Sequence, residues 1–130
     1  MLLLVASATG TPAAAQEGVT APRIASIGGS ITEIIYALGL DDRIVAVDST
    51  SQFPPDALRD HPDVGYLRAL SAEGVLALEP TLILAESDAG PPETVSVLEA
   101  ADIDFRKAPE AKDAAGIARK ISFVANALGA

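Results

Sequence analysis

Hydrophobic residues in this chain fall into short apolar runs separated by longer segments in which apolar positions have helical spacing. Apolar runs of about four to eight residues are typical of strands buried on both faces of a parallel sheet. The runs predict strands at Arg23–Ile27, Arg43–Val47, Thr81–Ala85 and the more polar Asp104–Lys107.

The first predicted helix follows the first strand directly. Its apolar positions recur at helical spacing, at Ile31, Ile34, Ile35 and Leu38. Ser30 and Glu33 have the spacing of a capping box, in which each side chain accepts a hydrogen bond from the other residue's amide. Gly39 suits the left-handed position after a helix. We therefore expect a helix that begins at Ser30 with its own side-chain cap.

Further helices are predicted between the later strands. Pro54-Pro55 introduces a short one at Asp56–Asp60, Ser71 caps the next, and Pro91-Pro92 opens one that reaches Ala101. The last helix has the clearest stripe, with Ile117, Ile121, Val124 and Leu128 at i, i+4, i+7 and i+11. Burying all four side chains would stabilise the fold by about 6–10 kcal/mol in gross transfer terms.

Alternating strands and helices predict an α/β fold, one parallel sheet with helices on both faces. Ligands of such sheets bind beyond the carboxyl ends of the strands. Four loops are expected there, and we call them together the ligand edge: Gly28–Ser30, Asp48–Phe53, Gly65–Leu70 and Glu86–Pro92.

The amino-acid composition argues against several classes of partner and of metal or catalytic site. The 130 residues carry a formal net charge of −9, which argues against nucleic acid or an anionic membrane as the main partner. The chain has no cysteine, which removes thiol catalysis and thiolate metal sites. A lone histidine, His61, excludes a multi-histidine metal cage, and its polar surroundings predict a solvated loop residue.

The N-terminal segment has the character of an export signal. Leu2–Ala8 is too short an apolar run to span a membrane, and Ala13 and Ala15 fit an A-x-A cleavage pattern. We therefore expect residues 1–15 to be a signal peptide and residues 16–130 to form one domain that does not span the membrane. An alanine-rich tail is the alternative.

Two features of the expected ligand edge could carry chemistry. Gly28–Ser30 lacks the remaining residues of a phosphate-binding loop, so a tight strand-to-helix turn is the better interpretation. Tyr66 lies between a strand end and the helix cap at Ser71, with Arg68 two residues away. Tyr66 is either a ligand contact or an aromatic plug over the sheet, whereas packing in the first helix accounts for Tyr36.

Three segments resemble the periplasmic substrate-binding proteins for iron complexes and cobalamin: Arg23–Gly39, Asp48–Pro55 and Val64–Leu76. The third resembles specifically the haem (heme, hemin) branch. The resemblance implies a periplasmic, exported binding protein, not an enzyme, which passes haem to the permease of an ATP-driven (ABC) transporter. It also implies a fold of two lobes, of which this chain looks like the N-terminal lobe alone, with the C-terminal lobe missing.

The resemblance also implies roles for individual residues. Tyr66, in the Gly-Tyr-x-Arg stretch, would ligate the haem iron, and Arg68 would assist it. Ferric iron prefers an anionic oxygen, and ionising a phenol at pH 7 costs about 4 kcal/mol, most of which the ferric charge supplies. Gly29, Ser30, Thr50 and Ser51 would line the ligand site, and Glu93 would dock on the permease. An acid at the start of a helix that only complements the helix dipole is the alternative for Glu93.

Two other functions remain open at this point. The same fold could carry a ferric siderophore or cobalamin, in which case Tyr66 would contact the ligand without ligating a metal. A small nucleotide-type α/β enzyme is the other alternative, and the absent phosphate motifs and the single histidine argue against it.

Overall fold

A computed structural model describes residues 20–130 of the chain. Within that range one sheet has the strands β1 (Ile24–Ile27), β2 (Ile44–Val47), β3 (Leu82–Ala85) and β4 (Asp104–Lys107). All neighbouring strands pair in parallel, in the order β2-β1-β3-β4. The predicted fold class is confirmed, and the four predicted strands lie within a residue of their expected bounds.

Helices connect the strands and cover both faces of the sheet. They are α1 (Gly29–Ala37), α2 (Asp56–Asp60), α3 (Ala72–Leu76), α4 (Pro92–Ala100) and α5 (Ala114–Ala127). Ser71 caps α3 as expected, since its hydroxyl accepts a hydrogen bond from the Gly74 amide. Gly39 follows α1 with a φ of 70°, the left-handed conformation that glycine tolerates best.

Successive strand residues point to opposite faces and divide the core into two clusters. On one face, Ile24 and Leu84 pack with buried residues of α1 and α5. On the other face, Ile27 and Ile83 pack with buried residues of α3 and α4. Helices on both faces shield the central strands β1 and β3 from water. The loops at the carboxyl ends of these strands therefore start from a rigid, buried sheet.

The predicted capping box at the start of α1 is wrong. The helix begins at Gly29, its N-cap is Gly28, and no side chain caps it. The Ser30 hydroxyl donates instead to the Glu86 carboxylate and accepts from the Lys120 ammonium. A carboxylate and an ammonium from distant parts of the chain are stronger partners for the hydroxyl than the local amide of residue 33.

The expected burial of the α5 stripe is half right. Val124 and Leu128 are buried, whereas 55% of Ile117 and 44% of Ile121 remain exposed. The C-terminal part of α5 packs into the core beside α1, but nothing in residues 20–130 covers the exposed side of its N-terminal part. Only the two C-terminal side chains therefore contribute their full burial energy.

The predicted signal peptide, residues 1–15, lies outside the described residues. Among residues 20–130, no helix has the length and apolar character needed to cross a membrane.

Candidate functional site at the carboxyl edge of the sheet

The four loops of the ligand edge come together as the parallel sheet predicts. Ser49 donates its amide hydrogen to the Gly65 carbonyl at 2.9 Å, which joins the second loop to the third. The Gly90 amide donates to the Leu67 carbonyl at 2.8 Å, which joins the fourth loop to the third. The Gly29 amide donates to the Thr50 hydroxyl at 2.9 Å, which joins the first loop to the second.

A buried carboxylate organises the first two loops. Asp48 is fully buried, and its oxygens accept hydrogen bonds from the Gly28 amide at 2.9 Å and from the Thr50 hydroxyl at 2.8 Å. Ser51 also donates to Asp48 and shares a hydrogen bond with the Thr32 hydroxyl. A buried charge requires several such donors, and this set fixes the conformation of the loop.

Ser51 therefore holds a different position from the one expected of a ligand contact. Its side chain is fully buried and both of its hydrogen-bond partners lie inside the protein. Thr50 is half-buried at the surface of the edge and rests on the network that contains Ser51. Ser51 is therefore a buried part of the hydrogen-bond network that positions Thr50, since both hydroxyls donate to Asp48.

The glycines of the first loop are required by close packing. A Cβ at Gly28 would collide with the side chain of Glu86, and Gly28 has a φ of 135°. A Cβ at Gly29 would lie 2.5 Å from the Thr50 carbonyl oxygen. This confirms the interpretation of Gly28–Ser30 as a tight strand-to-helix turn.

Ser30, Glu86 and Lys120 form a compact group that we call the Lys120 cluster. The Lys120 ammonium lies 2.7 Å from the Glu86 carboxylate and 3.1 Å from the Ser30 hydroxyl, and both charged side chains are largely buried. The Ser30 hydroxyl is thus already bonded to two protein partners. The cluster attaches α5 to the centre of the ligand edge, where β1 and β3 end.

The two tyrosines have contrasting surroundings. Tyr66 is 48% exposed, and no hydrogen bond to its hydroxyl is present within the part of the chain that the structure describes. The Tyr36 hydroxyl, in contrast, lies 3.1 Å from His61 Nε2. Burial raises the pKa of Tyr36, and the nearby carboxylates of Asp41 and Asp60 raise it further. Of the two phenols, only that of Tyr66 is presented at the ligand edge.

Arg68 is held by a partner that the sequence did not reveal. Its Nε and Nη2 atoms donate to one carboxylate oxygen of Asp88, at 3.0 and 2.7 Å. Hydrogen bonding and charge from Asp88 raise the pKa of Arg68, and the proximity of Tyr66 raises it further. Asp88 thus offsets much of the positive charge that Arg68 would present to a tyrosinate. A polar loop, Glu86–Gly90, was the only signal in the sequence.

The expectation of a solvated loop residue for His61 is half right: it lies in the bend after α2, but its ring packs against another side chain. His61 follows α2, is half-buried, and meets the Tyr36 ring edge-on with 6.2 Å between ring centroids. Tyr36 lies seven residues into α1, about 10 Å along the helix axis from its start at the ligand edge. His61 is therefore part of the packing around the far end of α1.

Two further features complete the candidate site. A polar cleft of about 340 Å³ opens beside the third and fourth loops, between Arg68, Asp88 and the Lys120 cluster. Glu93 is exposed in the first turn of α4. In the described residues, no group of three or more acidic or histidine side chains could hold a metal ion.

Comparison with known proteins identifies the relatives of this arrangement. Residues 24–130 match the family model described as periplasmic binding protein. Over 88 residues, the chain is 38% identical to a vitamin B12-binding protein of Vibrio cholerae. The periplasmic heme-binding protein RhuT from Roseiflexus sp. RS-1 is 46% identical, with a TM-score of 0.74 over 84% of this chain. The periplasmic heme-binding protein BhuT, solved with two hemes, is 40% identical, with a TM-score of 0.77 over 83%.

The matches cover most of this chain but a smaller part of each relative. They span 32% of the vitamin B12-binding protein and 41% of each of the two heme-binding structures. The chain thus corresponds to about two fifths of these solved structures.

Proposed function

The chain belongs to the periplasmic binding protein family, and we propose that it forms a haem-binding lobe of a receptor that serves an ATP-driven importer. The observation that carries this proposal is the exposed Tyr66, whose hydroxyl has no hydrogen-bond partner among residues 20–130 and which lies on the ligand edge. A tyrosinate oxygen is one of the few axial ligands that proteins offer to haem iron.

Two further observations support haem as the ligand. RhuT and BhuT, two solved structures similar to this chain, are both described as heme-binding. Tyr66 lies in the third loop, which backbone hydrogen bonds join to the second and fourth loops. Its backbone is therefore held in place, and the residue loses little conformational freedom when a ligand binds. We assign Tyr66 as the iron ligand, Arg68 as its charged neighbour, and Gly29, Ser30 and Thr50 as the surface beside it.

The role of the protein is binding and transfer rather than catalysis. We propose that residues 1–15 direct export to the periplasm and that residues 16–130 form the N-terminal of two lobes. The second lobe would cover the other face of the haem, since the edge described here offers one side of a ligand site. Glu93, exposed at the start of α4, would contact basic groups on the permease.

Cobalamin is the second candidate ligand, because the vitamin B12-binding relative is 38% identical over 68% of this chain. Tyr66 would then contact the corrin ring without ligating cobalt. A ferric siderophore would use the same edge in a similar way.

Titration of the protein with hemin and, separately, with cyanocobalamin distinguishes these ligands. Haem binding predicts a high-spin ferric absorption spectrum with a tyrosinate-to-iron charge-transfer band, and no binding of cyanocobalamin. Saturable binding of cyanocobalamin without a hemin spectrum would replace the haem assignment with the cobalamin one.

A further inference from the structure

The five aromatic residues of the chain divide into two groups. Tyr36, Phe105 and Phe123 are partly buried and pack against the two core clusters or, for Tyr36, also against His61. Phe53 and Tyr66 are the only two exposed aromatics, at 65% and 48%. Both lie in loops of the ligand edge.

Phe53 is exposed on a firmly held segment. Before it, the Gln52 amide donates to the Thr50 carbonyl at 2.8 Å, and the neighbouring Ser51 is fully buried. After it, the Ala57 amide donates to the Pro54 carbonyl at 3.0 Å, and Ala57 is fully buried. The backbone is therefore fixed on both sides of a ring that stays in water.

The two loops that contain the exposed rings are hydrogen-bonded to each other where they leave the sheet. Val64 donates to the Val47 carbonyl, and Ser49 donates to the Gly65 carbonyl, each at 2.9 Å. Val47 and Asp63 form a parallel bridge. Tyr66 and Phe53 thus follow two segments that are hydrogen-bonded side by side and end at the same edge of the sheet.

We propose that Phe53 is a second ligand contact, which packs its ring against the porphyrin of the haem and selects a flat aromatic ligand. This inference rests on the proposed function. Aromatic rings gain from offset-stacked or edge-to-face contact beyond the area that they bury. Tyr66 would recognise the iron, and Phe53 would recognise the macrocycle that surrounds it.

Metal-free protoporphyrin IX separates the two roles, because it keeps the ring and lacks the iron. We expect Phe53→Ala to weaken binding of both hemin and protoporphyrin IX by about tenfold, which corresponds to about 1.4 kcal/mol. Phe53→Tyr should restore both affinities because it keeps the ring. Tyr66→Phe should weaken hemin and leave protoporphyrin IX nearly unchanged.

Val97→Ala is the matched control, because Val97 is 50% exposed in α4, outside the ligand edge, and its truncation should change neither affinity. Thermal unfolding of each variant checks that the fold is intact. If Phe53→Ala binds both porphyrins like the wild type, or loses only hemin, the role of Phe53 is wrong while haem binding stands. If the wild type binds neither porphyrin, the proposed function is wrong and this inference with it.

Discussion

The hydroxyl of Tyr36 lies 3.1 Å from Nε2 of His61, so the lone histidine and one of the two tyrosines are hydrogen-bonded to each other. This pair sits toward the end of α1 opposite the ligand edge. Both residues therefore lie away from the ligand edge, where Tyr66 is exposed. This position makes Tyr36 a useful control for Tyr66.

Tyr66→Phe should abolish the tyrosinate-to-iron charge-transfer band and weaken hemin binding, because it removes the only oxygen of the side chain. The half-exposed ring stays in place, so the free energy of unfolding should change by less than about 0.5 kcal/mol. Absorption spectra during hemin titration measure the first effect, and urea unfolding measures the second.

Tyr36→Phe should leave the hemin spectrum unchanged. His61→Ala should also bind hemin normally. If His61→Ala lost the hemin spectrum while Tyr66→Phe kept it, His61 rather than Tyr66 would be the iron ligand.

The titration of Tyr36 gives a prediction for alkaline pH. Burial and neighbouring carboxylates raise its pKa, so folding favours the protonated phenol. The resulting stabilisation is present below the phenol's ordinary pKa, near 10, and is lost as the pH rises through the higher pKa of the folded state.

The Tyr66→Phe variant leaves Tyr36 as the only phenol in the chain. Its tyrosinate absorbance should therefore appear above pH 10 in the folded protein and near pH 10 in urea. Equal midpoints in the two states would contradict the effect of burial.

Thr50→Val tests the network beneath the ligand edge. The Thr50 hydroxyl accepts from the Gly29 amide and donates to the buried Asp48 carboxylate, so its removal leaves both partners short of a hydrogen bond. Because one partner is charged, the loss should lower the free energy of unfolding by about 1.5–3 kcal/mol, measured by urea denaturation.

Thr94→Val is the control, because the Thr94 hydroxyl makes one longer hydrogen bond, 3.3 Å to the Leu70 carbonyl. Its cost should be about 0.5–1 kcal/mol. Equal losses in the two variants would mean that the Asp48 network adds nothing special to the edge.

Glu93→Lys should lower hemin uptake by cells that depend on the protein by severalfold, with hemin affinity unchanged. A reversed charge repels basic groups on the permease and slows productive encounter. Glu73→Lys is the comparison, since Glu73 is also exposed in the first turn of a helix, α3, and shares any effect on the helix dipole. Normal uptake with Glu93→Lys, and reduced uptake with Glu73→Lys, would move the docking role to Glu73.

Local patterns predicted the sheet and where its ligand edge lies. The bounds of α2 and β4 agree with the predicted ones, and the convergence of the four loops follows from the parallel arrangement of the strands. The strands were predicted from short runs of consecutive apolar residues, and such local information is present in the sequence itself.

The predictions of side-chain partners and burial failed where residues far apart in the sequence determine them. The Ser30 hydroxyl is hydrogen-bonded to Glu86 and Lys120, which are 56 and 90 positions away, and no local sequence motif predicts these contacts. Arg68 likewise donates hydrogen bonds to the carboxylate of Asp88, which is 20 positions away in the sequence. The exposure of Ile117 likewise depends on what packs over α5, which its spacing cannot specify.

The Lys120 cluster has a consequence for the order of events during protein synthesis. Ser30 and Lys120 are 90 positions apart, and at translation rates of about 5–20 residues per second their syntheses are separated by about 5–20 s. Strands β1 and β3 and the Glu86 carboxylate therefore leave the ribosome before the ammonium that neutralises that carboxylate. All four loops of the ligand edge are made before Lys120, but the centre of the edge acquires its final charge balance only when the last helix of the described chain arrives.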